Sequence, residues 1–137
     1  MKVLLIDDDL FLRDMYAVKF VESGHKVESF EQAMLAVQRL QEGESFDVIL
    51  VDMIMPVTTG LDFLNKISDD NLVGDAVVIM LSNQSQQADI NEALEAGAHA
   101  YIVKAENIPS EVVEKVETIH SQHRQKKSDK AKEDDVK

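Results

Sequence analysis

The 137-residue sequence contains no cysteine, no tryptophan and only two prolines. The lack of cysteine excludes a disulfide framework, a thiol nucleophile and any metal site with cysteine ligands. The longest uninterrupted apolar run, Ala76–Leu81, has six residues, far fewer than the roughly 20 needed to span a bilayer. Met1 and Lys2 lead directly into a short apolar run and three aspartates, so no cleavable signal peptide is recognisable. These absences predict a single-domain cytoplasmic protein without a membrane span.

Basic residues are scarce, with 14 Lys and Arg against 26 Asp and Glu and a net charge of −12. Residues 1–120 carry 8 basic and 22 acidic residues, a net charge of −14, whereas residues 121–137 carry six basic and four acidic residues. Affinity for nucleic acids comes mainly from Lys and Arg that displace counterions, so direct nucleic acid binding is not expected. A cation or a partner with a basic face suits this surface better.

Four short runs of consecutive apolar residues and one alternating segment are separated by polar stretches of helix length. Continuous runs are typical of strands covered on both faces of a parallel sheet, and alternation is typical of a strand with one wetter side. The pattern predicts an α/β fold, a doubly wound five-stranded parallel sheet with helices on both faces and the alternating strand at an edge. The predicted strands are Val3–Ile6, Lys26–Phe30, Val48–Val51, Ala76–Leu81 and Ala100–Val103.

Apolar residues at helical spacing predict the buried face of each intervening helix. In the first helix this stripe is Phe11, Met15 and Val18, and in the fourth it includes Ile90 and Leu94.

Capping residues predict where several helices begin. Ser29–Gln32 has the spacing of a capping box before the second helix, and Thr59 is a candidate N-cap of the third. Pro109 is expected in the first turn of the fifth helix. Apolar residues almost vanish from Ser121 onward, so we expect a domain over 1–120 and a charged tail over 121–137 that is disordered or a fraying extension of the last helix.

Polar residues follow four of the predicted strands: Asp7–Asp9 after the first, Asp52 after the third, Ser82 after the fourth and Lys104 after the fifth. Each alone is readily explained by helix capping or solvation. In an open parallel sheet, however, these strand ends meet at one edge, where ligands bind. The aspartates would repel one another there unless a cation or Lys104 compensates, which predicts a binding site.

Residues 2–120 resemble the receiver domains of bacterial two-component response regulators. The resemblance implies a flavodoxin-like (βα)5 fold with strand order 2-1-3-4-5, and specifically a stand-alone receiver of the chemotaxis type. It rests on the order and spacing of Asp7–Asp8, Val51–Pro56 followed by Gly60, Leu81–Ser82, and Gly97–Ala98 leading to Ala100–Lys104.

The resemblance also implies the chemistry of the site. Asp52 would be the nucleophile that accepts a phosphoryl group from a phosphohistidine, because an ionised carboxylate can form a hydrolysable acyl phosphate. Mg²⁺ would be held by Asp8, Asp52 and the backbone carbonyl of Ile54, with Asp7 acting largely through bound water. Lys104 would pair with a phosphoryl oxygen in the transition state.

Signalling would follow from a switch formed by Ser82 and Tyr101, which would alter the face made by the fourth helix, fifth strand and fifth helix around Ala88–Val116. The implied partners are a sensor histidine kinase or phosphotransfer protein and a downstream protein target. The chain would act as a monomer or transient homodimer. It would not be an enzyme in the usual sense, because it would catalyse only its own phosphorylation and dephosphorylation.

One departure and two alternatives remain open. Ala105 follows Lys104 where the family usually has a cis proline, so this peptide bond is either trans with a reshaped loop or cis at a cost of roughly 3 kcal/mol. Asp7 and Asp9 also resemble the paired aspartates of haloacid-dehalogenase-type phosphatases, with Asp7 as nucleophile. That family expects Thr or Val at Phe11 and a late acidic pair that we do not find. The other alternative is a degenerate receiver that binds partners without phosphorylation.

Overall fold

The computed structural model describes residues 1–135, and side chains as far as Lys130. Strands and helices alternate in the predicted order, and a three-residue 3-10 turn, Lys104–Glu106, follows the last strand. The elements are β1 (Lys2–Ile6), α1 (Leu10–Glu22), β2 (Lys26–Phe30), α2 (Ala33–Gln41), β3 (Val48–Val51), α3 (Gly60–Asp69), β4 (Val77–Ser82), α4 (Gln87–Glu95), β5 (Ala100–Val103) and α5 (Pro109–Asp135).

The five strands form one parallel sheet in the order β2-β1-β3-β4-β5. This confirms the predicted flavodoxin-like fold, including the alternating strand β2 at an edge. Because β1 and β3 are neighbours in the centre, the segments that follow them emerge side by side at the carboxyl edge of the sheet.

Two hydrophobic layers cover the two faces of the sheet. Leu4 and Ile49 face the layer formed by α2, α3 and α4, whereas the next residues along the same strands, Leu5 and Leu50, face α1 and α5. Every residue of β3 and β4 is buried. Consecutive apolar residues in the sequence therefore reflect burial on both faces.

Helix α1 turns a different face toward the core from the one predicted. Phe11 is 72% exposed and Val18 is 53% exposed, while Tyr16 and Phe20 are buried. Tyr16 and Phe20 stand four residues apart on one face, and this face packs both large aromatic side chains into the hydrophobic layer of α1 and α5. The predicted stripe of Phe11, Met15 and Val18 is wrong for this reason.

Helix α4 is also rotated relative to the prediction. Ala93 is fully buried and Leu94 is 44% exposed. A shift of one residue corresponds to a rotation of about 100°, which brings the small side chain against the core and turns Leu94 outward.

The caps are confirmed in one helix and corrected in another. The Thr59 hydroxyl accepts a hydrogen bond from the Asp62 backbone N–H at 3.1 Å, as predicted for α3. Helix α2 instead begins after Gln32, which makes no side-chain capping bond. The predicted capping box at Ser29 is wrong because Ser29 belongs to β2 and pairs with β1.

Helix α5 begins at Pro109, as predicted, and continues to Asp135. Residues 121–135 are therefore helical, which corrects the expectation of disorder and agrees with the alternative of a helix extension. The extension contacts the rest of the molecule: Lys127 donates to Asp75 at 3.0 Å, and the His123 ring packs edge-on against His99. Residues 136 and 137 of the predicted tail lie outside the described residues. Within residues 1–135, no helix, α5 included, is long and apolar enough to cross a bilayer.

Candidate functional site

Two of the predicted acidic residues continue directly from the central strands. Ile6 at the end of β1 pairs with Val51 at the end of β3, so Asp7 and Asp52 occupy adjacent positions one residue further on. The Asp52 N–H donates to the Ile6 carbonyl at 3.0 Å, and the Asp7 N–H donates to a β2 carbonyl at 3.1 Å. Both main chains are therefore still fixed by the hydrogen bonding of the sheet.

Three carboxylates converge at this edge. One oxygen from each of Asp7, Asp8 and Asp52 lies within 4.8 Å of the others. Asp7 and Asp52 are buried, and Asp8 is exposed to solvent. Anionic oxygen ligands that leave open positions for water are the donor set that Mg²⁺ prefers, so these residues fit a magnesium ion.

Lys104 bridges the two buried carboxylates. Its Nζ donates to Asp7 Oδ2 at 2.6 Å and to Asp52 Oδ2 at 2.9 Å, and the residue is buried. The Lys104–Ala105 peptide bond is trans, and Lys104 opens the 3-10 turn after β5. The sequence without proline thus has a trans bond here, and the 3-10 turn places the ammonium group at the acidic cluster.

The electrostatics of the cluster are unbalanced. Burial raises the pKa of Asp7 more than hydrogen bonds from Lys104 and from the Asp9 backbone lower it. Burial alone would lower the pKa of Lys104, but the hydrogen bonds and charges of Asp7 and Asp52 outweigh it and raise that pKa. One ammonium group cannot neutralise three carboxylates, so the cluster favours an additional cation.

Asp9 supports the site both as a helix cap, a role that the sequence analysis considered, and through a backbone bond to Asp7 that it missed. Its backbone N–H donates to Asp7 Oδ1 at 2.9 Å, and its carboxylate accepts from the Leu12 N–H at 3.1 Å as the N-cap of α1. The third aspartate therefore orients the first and starts the helix. An aspartate three residues before a helical N–H is a recognisable capping signal.

The loop after β3 folds back tightly on Asp52. The Ile54 N–H donates to Asp52 Oδ1 at 3.2 Å, and the Gly60 N–H donates to the Met53 carbonyl at 2.8 Å. A Cβ atom on Gly60 would lie 2.3 Å from the Asp52 carbonyl oxygen. Only glycine permits this approach, which explains the Gly60 that follows the Asp52 motif.

Ser82 and Tyr101 are joined through the backbone of one residue. Ser82 is buried at the end of β4, and its Oγ accepts from the Gln84 N–H at 3.3 Å. The half-buried Tyr101 donates its hydroxyl to the Gln84 carbonyl at 2.5 Å. This link has no signal in the sequence, because Gln84 contributes only main-chain atoms.

The pattern of the response regulator receiver domain matches residues 3–117 of the chain. The chemotaxis protein CheY1 of Helicobacter pylori strain J99 is 30% identical over 120 residues, which cover 87% of this chain and 96% of that protein. The phosphate regulon transcriptional regulatory protein PhoB of Escherichia coli K12 is 27% identical over 118 residues, which cover 86% of this chain and 51% of that protein.

Solved structures show the same fold. Vibrio cholerae chemotaxis protein CheY4 superposes with a TM-score of 0.79 at 26% identity, covering 86% of this chain and 97% of that chain. A CheY-like receiver domain protein from Methanospirillum hungatei gives a TM-score of 0.80 at 26% identity, covering 91% and 97%.

These matches favour a receiver over a haloacid-dehalogenase-type phosphatase, and the burial of Asp7 agrees with that preference, since both its oxygens already accept hydrogen bonds. With the acidic cluster, the lysine and the strand order all in agreement, the chain belongs to the family of response regulator receiver domains, the signalling domains of two-component systems.

Proposed function

We propose that this receiver accepts a phosphoryl group on Asp52 from the phosphohistidine of a sensor histidine kinase or a phosphotransfer protein. The observation that carries the proposal is the cluster of Asp7, Asp8 and Asp52 with Lys104 hydrogen-bonded to two of its members. Asp52 is the nucleophile because it is the aspartate that follows the central strand β3, and its side chain retains more exposure than that of Asp7.

In the proposed reaction, a carboxylate oxygen of Asp52 attacks the phosphorus atom in line with the leaving nitrogen. The phosphorus–nitrogen bond breaks, its electron pair stays on the imidazole, and an acyl phosphate forms. Lys104, whose Nζ lies 2.9 Å from Asp52 Oδ2, is close enough to pair with the charge on a phosphoryl oxygen.

The same residues would hold Mg²⁺. Its ligands would be Asp8, Asp52 and the backbone carbonyl of Ile54, and Asp7 would act mainly through bound water. When bound, Mg²⁺ neutralises charge on the phosphoryl oxygens and orients them. The carboxylate donor set and its excess of negative charge support this assignment.

Phosphorylation would change the molecule through Ser82. Its hydroxyl would donate to the phosphoryl group, which would draw the loop containing Gln84 toward Asp52. Because Tyr101 is bonded to the same loop, it would move with it and alter the α4–β5–α5 face. The downstream protein target would then bind one conformation more tightly than the other. It could shift the equilibrium between the two conformations only by as much as its affinities for them differ.

The test is covalent labelling with acetyl phosphate and Mg²⁺, followed by peptide mapping of the hydroxylamine-labile adduct. We expect an adduct on Asp52 in the native protein and in the control Asp62→Asn, a carboxylate removed from the exposed side of α3. Asp52→Asn should form none, and Asp7→Asn should be labelled more slowly but at the same residue. An adduct on Asp7 would support the phosphatase, and an unlabelled native protein would support a degenerate receiver.

The remaining partner assignments are part of the same proposal. We propose that residues 1–120 form the receiver unit, that the chain acts as a monomer or transient homodimer, and that it binds no nucleic acid directly, given the net charge of −14 over these residues. A pull-down with beryllofluoride-treated and untreated protein should recover the target in different amounts. Equal recovery would contradict control by phosphorylation.

A further inference from the structure

We propose that Asn107 is a positioning residue that anchors the main-chain turn carrying Lys104 and so holds the ammonium group between Asp7 and Asp52. Its predicted effect on phosphorylation rests on the proposed function, but its effect on Lys104 does not.

Asn107 bonds to both carbonyls that flank the lysine side chain. Its side-chain Nδ2 donates to the Val103 carbonyl at 2.8 Å, and its backbone N–H donates to the Lys104 carbonyl at 3.2 Å. The last residue of β5 and the first residue of the 3-10 turn are thereby tied to the same asparagine. The second bond is the i→i+3 bond of the 3-10 turn itself, which any residue except proline can make. The bond from Nδ2 to the Val103 carbonyl is the one that depends on asparagine, and it fixes the main chain immediately before the lysine.

The turn has little else to hold it. A 3-10 segment of three residues has poor hydrogen-bond geometry and is stable only in short pieces. Its second and third residues, Ala105 and Glu106, are both exposed, so they contribute little packing. Ala105 also restricts the backbone less than a proline would at this position. The anchor must therefore come from the ends of the turn, where Lys104 and Asn107 are both buried.

The precision of this anchor matters because the lysine side chain is long and flexible. Its Nζ must reach two carboxylate oxygens at once, at 2.6 Å and 2.9 Å. A displaced main chain would lengthen at least one of these bonds.

The unpaired oxygen of the Asn107 amide indicates that the amide nitrogen is the reason for an asparagine at this position. Asn107 is 9% exposed, and its Oδ1 is buried and accepts no hydrogen bond from any described residue. A buried acceptor without a partner destabilises a protein, and an apolar side chain of similar size would avoid that penalty. Packing alone does not explain an asparagine here, whereas the bond from Nδ2 to the Val103 carbonyl does.

The experiment compares Asn107→Leu, which has a similar branched shape and no donor, with Asn107→Ala and with the control Asn65→Ala on the exposed face of α3. Two readouts are measured on folded protein: the rate of Mg²⁺-dependent labelling of Asp52 by acetyl phosphate, and the NMR resonance of the Lys104 ammonium group, assigned with Lys104→Met. Thermal unfolding is recorded beside them.

We expect both Asn107 variants to label about tenfold more slowly or worse and to lose or broaden the Lys104 ammonium resonance, with Asn65→Ala unchanged. A lower melting temperature with an unchanged rate and resonance would show a purely structural role and overturn the proposal. If the native protein is not labelled at all, the proposed function fails, and the Lys104 ammonium resonance alone tests the role of Asn107. Loss of that resonance in Asn107→Leu or Asn107→Ala supports the proposed anchor. Persistence of the resonance in both variants overturns it.

Discussion

Ion pairs occur at both ends of strand β1, and the two ends differ in burial and in the balance of positive and negative charge. At the amino end, Lys2 pairs with Glu28 and Glu44, and Arg39 pairs with the same two glutamates. These side chains are 28–34% exposed. At the carboxyl end, the side chains of Asp7, Asp52 and Lys104 are no more than 10% exposed.

The contrast separates a structural network from a functional one. At the amino end two cations meet three anions, because Arg39 also pairs with the exposed Glu42. These pairs are in contact with water, where they contribute little to stability and have no need of a further ligand. At the carboxyl end one buried ammonium group bridges two buried carboxylates, and the exposed carboxylate of Asp8 lies beside them without a cation of its own in the cluster. An arrangement that is unfavourable for the folded protein alone is typical of a site that binds an ion.

The largest effect is expected from the glycine beside Asp52. Gly60→Ala would force a Cβ atom to 2.3 Å from the Asp52 carbonyl oxygen and 2.7 Å from the Met53 Cα. Because both obstacles are main chain, we expect a loss of about 4 kcal/mol in the free energy of unfolding, measured by urea denaturation. Gly74, near the amino end of β4, has open space around it but a φ of 59°. Gly74→Ala should therefore cost only about 1 kcal/mol, and equal losses would contradict the difference in packing.

Removing the buried lysine should have the next largest effect. Lys104→Met leaves Asp7 and Asp52 without their shared partner, so we expect a loss of about 3 kcal/mol at pH 7 without Mg²⁺. Added Mg²⁺ should restore part of this loss, because a cation replaces the missing charge. Urea denaturation with and without Mg²⁺ measures both effects. A variant as stable as the native protein would contradict the assigned repulsion.

Removing one buried carboxylate should stabilise the folded protein, whereas removing the lysine destabilises it. Burial raises the pKa of Asp7 in the folded state, so the folded protein holds this proton more tightly than the unfolded chain and its ionisation destabilises the fold. This penalty is complete above the folded pKa and disappears as the pH falls toward the ordinary value of about 3.9. Asp7→Asn should raise the free energy of unfolding by on the order of 1 kcal/mol at pH 7.

The pH dependence supplies the control for that prediction. In paired urea titrations from pH 8 to pH 4, the advantage of Asp7→Asn over the native protein should shrink as the pH falls. An advantage that grows in acid would contradict the direction assigned to the Asp7 pKa.

The smallest effect belongs to the amino end. Lys2→Met should lower the free energy of unfolding only slightly, and far less than Lys104→Met does, since its pairs with Glu28 and Glu44 remain in contact with solvent. The loss should decrease further in high salt, which screens exposed pairs. A loss as large as that of Lys104→Met would remove the distinction between the two ends.

The fold and the positions of the main site residues could be predicted because both follow from strand order. Uninterrupted apolar runs mark strands buried on both faces, and parallel strands bring the residues after them to one edge. Asp7, Asp52 and Lys104 accordingly meet where the sequence predicted.

The features that could not be predicted depend on contacts between residues distant in sequence or on main-chain atoms. The rotation of α1 depends on which side chains fill the core, so periodicity alone did not favour Tyr16 over Phe11. The helical extension of α5 is held by His99 and Asp75, which lie far away in the sequence. The link through Gln84 uses its main chain alone. One of the two Asn107 hydrogen bonds, from its N–H to the Lys104 carbonyl, also uses the main chain.

The central claim is that carboxylates from two neighbouring strand ends share one divalent cation beside Asp52. The most direct measurement is the anomalous difference map of a crystal soaked in Mn²⁺, a magnesium substitute with a measurable signal. We predict one peak at coordination distance from the Asp8 and Asp52 carboxylates and the Ile54 carbonyl, and its absence in Asp52→Asn crystals. A soaked native crystal with no peak among these residues would contradict the account.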